Sequence, residues 1–230
     1  MVRIFIDTET VPTSREDVRS KLAAGVRPPG NYKSVDAIMK WETEQGAAKR
    51  EEAIAETALN GLWGELLVIG FAIEDRTPVI LTREKTEADL LKTFCELLQD
   101  EVFAHVLKSE SSTTSWDQRV TWIAHNADFD LRFIWQRSRI LGIQIPFLLP
   151  LERYPKGPWR YDTMVEWAGW GKYVKLTDLE LAFGIDRIDP LPGGGSDVAK
   201  AFAEGRIDDI TGHCSLDVGN LRLIYQRMTR

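Results

Sequence analysis

The chain has 230 residues, 29 Lys+Arg against 35 Asp+Glu, and a formal net charge of −6. Hydrophobic residues make up 43% and charged residues 28%, which excludes a disordered or collagen-like chain. The acidic balance also argues against a protein that coats nucleic acid through global positive charge.

Val2-Arg3-Ile4-Phe5-Ile6 reads as a buried strand leading into Asp7-Thr8-Glu9-Thr10, with Pro12 closing further pairing. A polar stretch follows over about 13–60. Its Ser34 to Asn60 portion is helical in pattern, with Ser34 as N-cap and Gly46 as a point of division. Glu65 to Ile73 and Pro78 to Thr82 form a hairpin around a turn at Glu74 to Thr77. Glu87 to Leu98 has apolar residues at helical spacing, and a Ser/Thr-rich loop spans Ser109 to Ser115.

Val120 to Ala124 is a fourth strand, followed by His125-Asn126-Ala127-Asp128-Phe129-Asp130 and a helix to Leu141 that stops at Gly142. Trp159 to Asp162 is a short fifth strand. Helices are expected over Thr177 to Phe183, Asp197 to Glu204 and His213 to Met228. A hairpin followed by strands alternating with helices predicts an α/β fold: a mixed five-stranded sheet flanked by helices, one domain over 1–230, with a helical insertion after the first strand.

Cys95 and Cys214 are too few for a disulfide framework or a four-thiolate zinc site, and read as buried thiols in a reducing compartment. No secretory signal is visible at Met1, and the apolar run Gly142 to Leu151 is too short to span a bilayer. The expectation is a soluble cytoplasmic protein with no membrane partner.

Asp7 and Glu9 sit two apart on a strand, so both carboxylates project from one face. Such a pair raises each other's pKa unless a cation neutralises it, and an all-oxygen site suits Mg²⁺ or Mn²⁺. The alternative is a strand end reaching solvent. Asp130 follows a second buried strand at a strand-to-helix turn, where open sheets collect ligands. His213 and Asp217 are four apart on a helix, and Asp217 falls among Leu216, Val218, Leu221 and Leu223.

Ile6-Asp7-Thr8-Glu9-Thr10, His125-Asn126-x-x-Phe129-Asp130 and Cys214-x-x-Asp217-Val218 resemble, in order and spacing, the three motifs of the DEDD 3′–5′ exonuclease superfamily. The likeness is closest to the proofreading exonuclease domain of family-B DNA polymerases and its stand-alone bacterial and phage relatives. It covers most of the chain and leaves the 13–60 insertion unmatched. It implies a ribonuclease H-like fold and two divalent cations, Mg²⁺ or Mn²⁺, held by Asp7, Glu9, Asp130 and Asp217. Such ions stand about 3.5–4 Å apart and stabilise both oxygens of an in-line displacement. The implied reaction hydrolyses the terminal phosphodiester at a 3′ end and releases nucleoside 5′-monophosphates. Single-stranded DNA is the expected substrate, in DNA replication, repair or degradation, with a replication or repair protein as a possible partner; an RNA 3′-exonuclease is the alternative.

Thr8, Thr10, Asn126 and Phe129 are implied substrate contacts, Asn126 and Phe129 also reading as a strand-end cap and as core. Asp128 matches no ligand position and reads as a helix cap. One superfamily branch has a Tyr four residues before its last Asp, and the other a His five before it. Here His213 occupies the tyrosine's position, with Gly212 five before. It reads as an imidazole able to position or deprotonate water, so activity is expected to fall below a pKa of roughly 6.5. A capping or surface histidine is the alternative.

Between Leu131 and Lys175, eight positive side chains face three negative ones, net +5, among seven Trp and Tyr residues. Basic residues interleaved with aromatics suit a single strand, whose phosphates need cations and whose bases need stacking partners. The alternative is a solvated face over core aromatics. Lys200 and Arg206, after the Gly193-Gly194-Gly195 loop, are further phosphate candidates.

Two other functions compete. One is a catalytically impaired module of the same fold, binding nucleic acid or docking a partner, prompted by His213. The other is a haloacid dehalogenase-type phosphatase, which needs a second Asp where Glu9 stands.

Overall fold

A computed structural model describes residues 1–106, 120–151 and 159–230, with the side chains of 103–106 left aside. The Ser109 to Ser115 loop, and Arg153, Tyr154 and Lys156 of the basic stretch, lie outside the described residues.

Five strands form one mixed sheet in the order β3-β2-β1-β4-β5: β1 (Val2–Val11), β2 (Glu65–Ile73), β3 (Val79–Thr82), β4 (Val120–Ala124) and β5 (Arg160–Asp162). β1 is central, antiparallel to β2 and parallel to β4. The strand runs five residues past the apolar segment, through Asp7, Glu9 and on to Val11, because β2 supplies ladder partners from Ile4 to Val11, with a register shift between Glu9 and Thr10.

Alternation divides β1 between two cores. Ile4 and Ile6 join the buried cluster beneath α4 (Glu87–Val106) and α5 (Ala127–Ile140). Phe5 and Val11 face α9 (Ile207–Met228) and α8 (Val198–Ala203) with Val218, Leu221 and Ile210. Asp7 and Glu9 share the parity of Phe5 and Val11, so the two carboxylates point to the α9 face.

α9 can come close because of Gly70, which pairs with Asp7. A Cβ at Gly70 would stand 2.6 Å from Cys214 Sγ and 3.1 Å from Val218 Cγ2. Cys95 and Cys214 are both free and buried, as expected, and burial pushes the Cys95 thiol up to about 11.

The insertion contains α1 (Glu16–Gly25), α2 (Val35–Trp41) and α3 (Ala47–Ala55), followed by a 3₁₀ turn to Leu59. Ser34 is the expected N-cap, accepting from Ala37 N at 3.2 Å. Gly46 does not split the helix: residues 42–46 form a π-helical turn through which it continues. α1 lies in the segment the periodicity left unassigned. The insertion leaves and returns at one point, since Val11 pairs with Glu65, and the foot is tied by Thr10 Oγ1 to Ala58 O (2.7 Å) and Thr13 N to Thr57 Oγ1 (2.9 Å).

α6 (Thr163–Ala168) and α7 (Leu176–Phe183) complete the helices. α6 has too few turns for a periodic signal; Asp162 starts it by accepting from Met164 N and Val165 N. Among the described residues, no helix is long and apolar enough to cross a membrane.

Candidate functional site

Asp7 and Glu9 from β1, Asp130 from α5, and His213 and Asp217 from α9 meet along the second half of β1, past its last pair with β4 at Phe5–Ile123. Asp130 reaches β1 from the opposite layer: its Oδ1 accepts from Thr8 N (3.0 Å) and Thr8 Oγ1 (2.8 Å). α9 begins at Ile207, six residues before the expected start, so His213 is inside the helix and only 4% exposed. That removes the capping and surface readings of this histidine.

One oxygen atom marks the centre. Asp7 Oδ2 is shielded from solvent and has no hydrogen-bond partner among the described residues. Ligand atoms of Asp7, Glu9 and Cys214 all lie within 4.8 Å of one another. Burial, then the Asp217 and Asp130 charges, push the Asp7 carboxyl well above its ordinary range. Burial, then Asp7 and Asp217, do the same to Glu9. Burial lifts Asp130 to about 7, although the Thr8 hydroxyl and amide pull the other way. A hard divalent cation fits this donor set: it would satisfy the orphaned oxygen and offset the mutual repulsion. Burial and the same carboxylates push the Cys214 thiol well above its ordinary value before any ion binds, and a hard ion such as Mg²⁺ or Mn²⁺ prefers the carboxylate oxygens beside it.

Asp217 has a different neighbour. Arg187, in the segment between α7 and α8, donates from Nη2 to Asp217 Oδ1 at 2.6 Å and to Asp189 Oδ2 at 2.5 Å. Its Nη1 donates to Glu180 Oε1 at 2.7 Å, which also accepts from Asn220 Nδ2 at 2.9 Å. Asp189 in turn faces His213 Nδ1 at 2.9 Å. His213 Nε2 lies 3.6 Å from Glu9 Oε1 and 3.7 Å from Asp217 Oδ2. Burial works to raise the Asp189 carboxyl, but the Leu191 N–H, Arg187 and His213 together hold it below its ordinary value. No motif includes Glu180, Arg187, Asp189 or Asn220. The one signal was local: Asp186-Arg187-Ile188-Asp189 sets alternating charges just before Pro190.

The expected substrate contacts have internal partners. Thr8 is spent on Asp130, and Thr10 on Ala58. Asn126 adopts a left-handed backbone (φ 66°) before α5, its N–H donating to Asp162 Oδ1 at 3.0 Å. Phe129 packs on Phe133 with ring centroids 5.5 Å apart. Asp128 does not cap α5; it pairs with Arg160 at 2.9 Å. His125 is fixed between Thr163 Oγ1 and Val174 O, both at 2.9 Å.

The basic stretch is thinner than its net charge. Arg137 is buried in a two-bond pair with Glu87, and Arg160 is buried against Asp128 and Asp162. Lys172 and Lys175 are exposed, beside exposed Trp167 and Tyr173. Arg206 pairs with Glu204 and Asp209, and Lys200 lies 4.0 Å from Glu204.

No model of a known protein family matches this chain, and no curated protein matches it either.

Proposed function

We propose that this protein is a metal-dependent 3′–5′ exonuclease of the DEDD type on a ribonuclease H-like fold, acting on single-stranded DNA. The observation that carries the reading is the convergence of acids from three distant segments around Asp7 Oδ2, a buried oxygen with no donor among the described residues. Asp7, Glu9, Asp130 and Asp217 would hold two Mg²⁺ or Mn²⁺ ions, which when bound supply charge stabilisation to a phosphodiester displacement.

The chain's own residues account for the rest. Thr8 fixes Asp130 by two hydrogen bonds to one oxygen, setting its distance from β1. His213 Nε2 faces the Glu9–Asp217 pair at separations a bridging water spans. Water there would give its proton to Nε2 as its oxygen bonds to phosphorus. The bond from phosphorus to the penultimate 3′ oxygen breaks, and that oxygen leaves with a proton from solvent. The exposed side chains of Trp167, Lys172, Tyr173 and Lys175 would supply contacts to bases and phosphates upstream of the 3′ end.

A 5′-labelled single-stranded oligonucleotide incubated with Mg²⁺ or Mn²⁺ should shorten from its 3′ end, and Asp7→Ala or EDTA should abolish the ladder. An RNA oligonucleotide of the same sequence tests the alternative substrate. One observation favours the impaired module: Arg187 already supplies a cation to Asp217. Binding without shortening under either metal would establish that second reading.

A further inference from the structure

Arg187 and Asp189 belong to none of the acid-bearing motifs, yet their hydrogen-bonding capacity determines how His213 is held. Arg187 Nη2 carries two N–H groups and never loses one at ordinary pH. Asp189 Oδ2 at 2.5 Å and Asp217 Oδ1 at 2.6 Å take both. The 3.1 Å contact of Nη2 with His213 Nδ1 can be served only by sharing one of these two hydrogens, a weakened three-centre bond. Nδ1 itself lies 2.9 Å from each Asp189 oxygen. An ionised carboxylate only accepts, and the Leu191 N–H (2.8 Å) and Arg187 both favour the ionised form. Two carboxylate oxygens at 2.9 Å are thus set against one shared guanidinium hydrogen, an arrangement that favours a hydrogen on Nδ1.

We propose that Asp189, clamped by Arg187, is a positioning residue that holds the Nδ1–H of His213 and turns Nε2 toward Glu9 and Asp217. The geometry stands by itself; the consequence for catalysis rests on the exonuclease reading. A histidine whose outer nitrogen is fixed by a carboxylate keeps one tautomer and one ring orientation, so its inner nitrogen meets the attacking water in a single pose. Glu180 extends the clamp by accepting from Arg187 Nη1, and Asn220 Nδ2 donates to the same Glu180 oxygen.

Nitrogen-15 NMR of histidine-labelled, metal-free protein tests this directly. The chain has three histidines, His105, His125 and His213, and the His213 signals are those missing in His213→Gln. The wild type should show a downfield, slowly exchanging proton on His213 Nδ1. Asp189→Asn should lose it while the His125 signals stay in place, and Asp189→Glu should restore it in part. With Mn²⁺ and labelled oligonucleotide, Asp189→Asn should lower kcat about 10–100-fold with KM little changed. A hydrogen found only on Nε2 in the wild type, or an Nδ1–H signal unchanged in Asp189→Asn, would overturn the proposal. If no variant and no wild type degrades DNA, the exonuclease reading fails, and the spectra still decide the positioning role.

Discussion

Arg187 Nη2 lies 2.6 Å from Asp217 Oδ1, so the last acid of the cluster already has a positive partner before any ion arrives. The same guanidinium reaches Asp189 and Glu180, three carboxylates around one cation. Burial alone would lower its pKa, yet the charges of Asp217, Asp189 and Glu180 outweigh that and raise it.

Arg187→Met should therefore destabilise the metal-free protein by about 3–5 kcal/mol, since it leaves buried carboxylates unpaired. Mn²⁺ should then recover more stability in the variant than in wild type, because Asp217 is released to bind it. Thermal unfolding in EDTA and in Mn²⁺ measures both. An equal rise in the two proteins would mean that Arg187 and the ion do not compete.

Asp7, Glu9 and Asp130 all hold protons more tightly in the folded protein than in the unfolded chain. A raised native pKa means that the native state keeps a proton the unfolded state has released. Stability from these groups is present below about pH 4 and lost as pH rises, for Asp130 through about 7. Each proton contributes a slope of at most about 1.4 kcal/mol per pH unit. In EDTA, the stability of wild type relative to Asp130→Asn should fall between about pH 4 and about pH 7 in urea titrations. A flat difference would show that Asp130 titrates normally.

Gly70 is where α9 touches the sheet, and Gly70→Ala should cost about 1–3 kcal/mol by overpacking against Cys214. Adding Cys214→Ala should recover part of it, because the Val218 and Ile80 methyl groups still stand 3.1 Å from the new carbon. Because α9 carries His213 and Asp217, the single variant should also lower the proposed nuclease activity. Urea titration and the oligonucleotide assay on single and double variants check both effects.

Arg137 and Glu87 form two hydrogen bonds of 2.8 and 2.7 Å in the core, and Glu87 Oε1 also accepts from Leu66 N at 2.8 Å. Arg137→Met should cost about 3–5 kcal/mol by stranding the carboxylate. Combining it with Glu87→Met should cost less than the sum of the two single changes, read as a coupling energy in a double-mutant cycle.

These two arginines show what a chain read by itself conveys. Asp7 and Glu9 were legible because a strand's period is local, and all five strands and most helices were placed by patterns a few residues long. Asp130 and Asp217 were legible through motif spacing, and the structure brings both near Asp7. Arg187 was not, because its role depends on Glu180, Asp189 and Asp217, which meet only after α7 and α9 have packed. Arg137 and Arg160 misled for the converse reason: a charge count treats every arginine as available, and burial beside Glu87 and Asp128 is a tertiary fact. The extension of β1 to Val11 was missed because acidic residues usually end a strand at solvent, whereas here β2 pairs beyond them.

The pairing of Val11 with Glu65 makes β1 and β2 neighbouring arms of a hairpin whose turn has grown into a small helical body over 12–64. Chain length inside such a closed excursion is thermodynamically cheap, each doubling adding only about 0.6 kcal/mol of closure entropy. The closure term therefore sets little limit on the length of the excursion, while the Thr10–Ala58 and Thr13–Thr57 bonds hold its foot to the strand bearing Asp7 and Glu9. In design terms, the strand bearing Asp7 and Glu9 comes with a socket beside it, where chain can be added beyond the tied foot at little entropic cost.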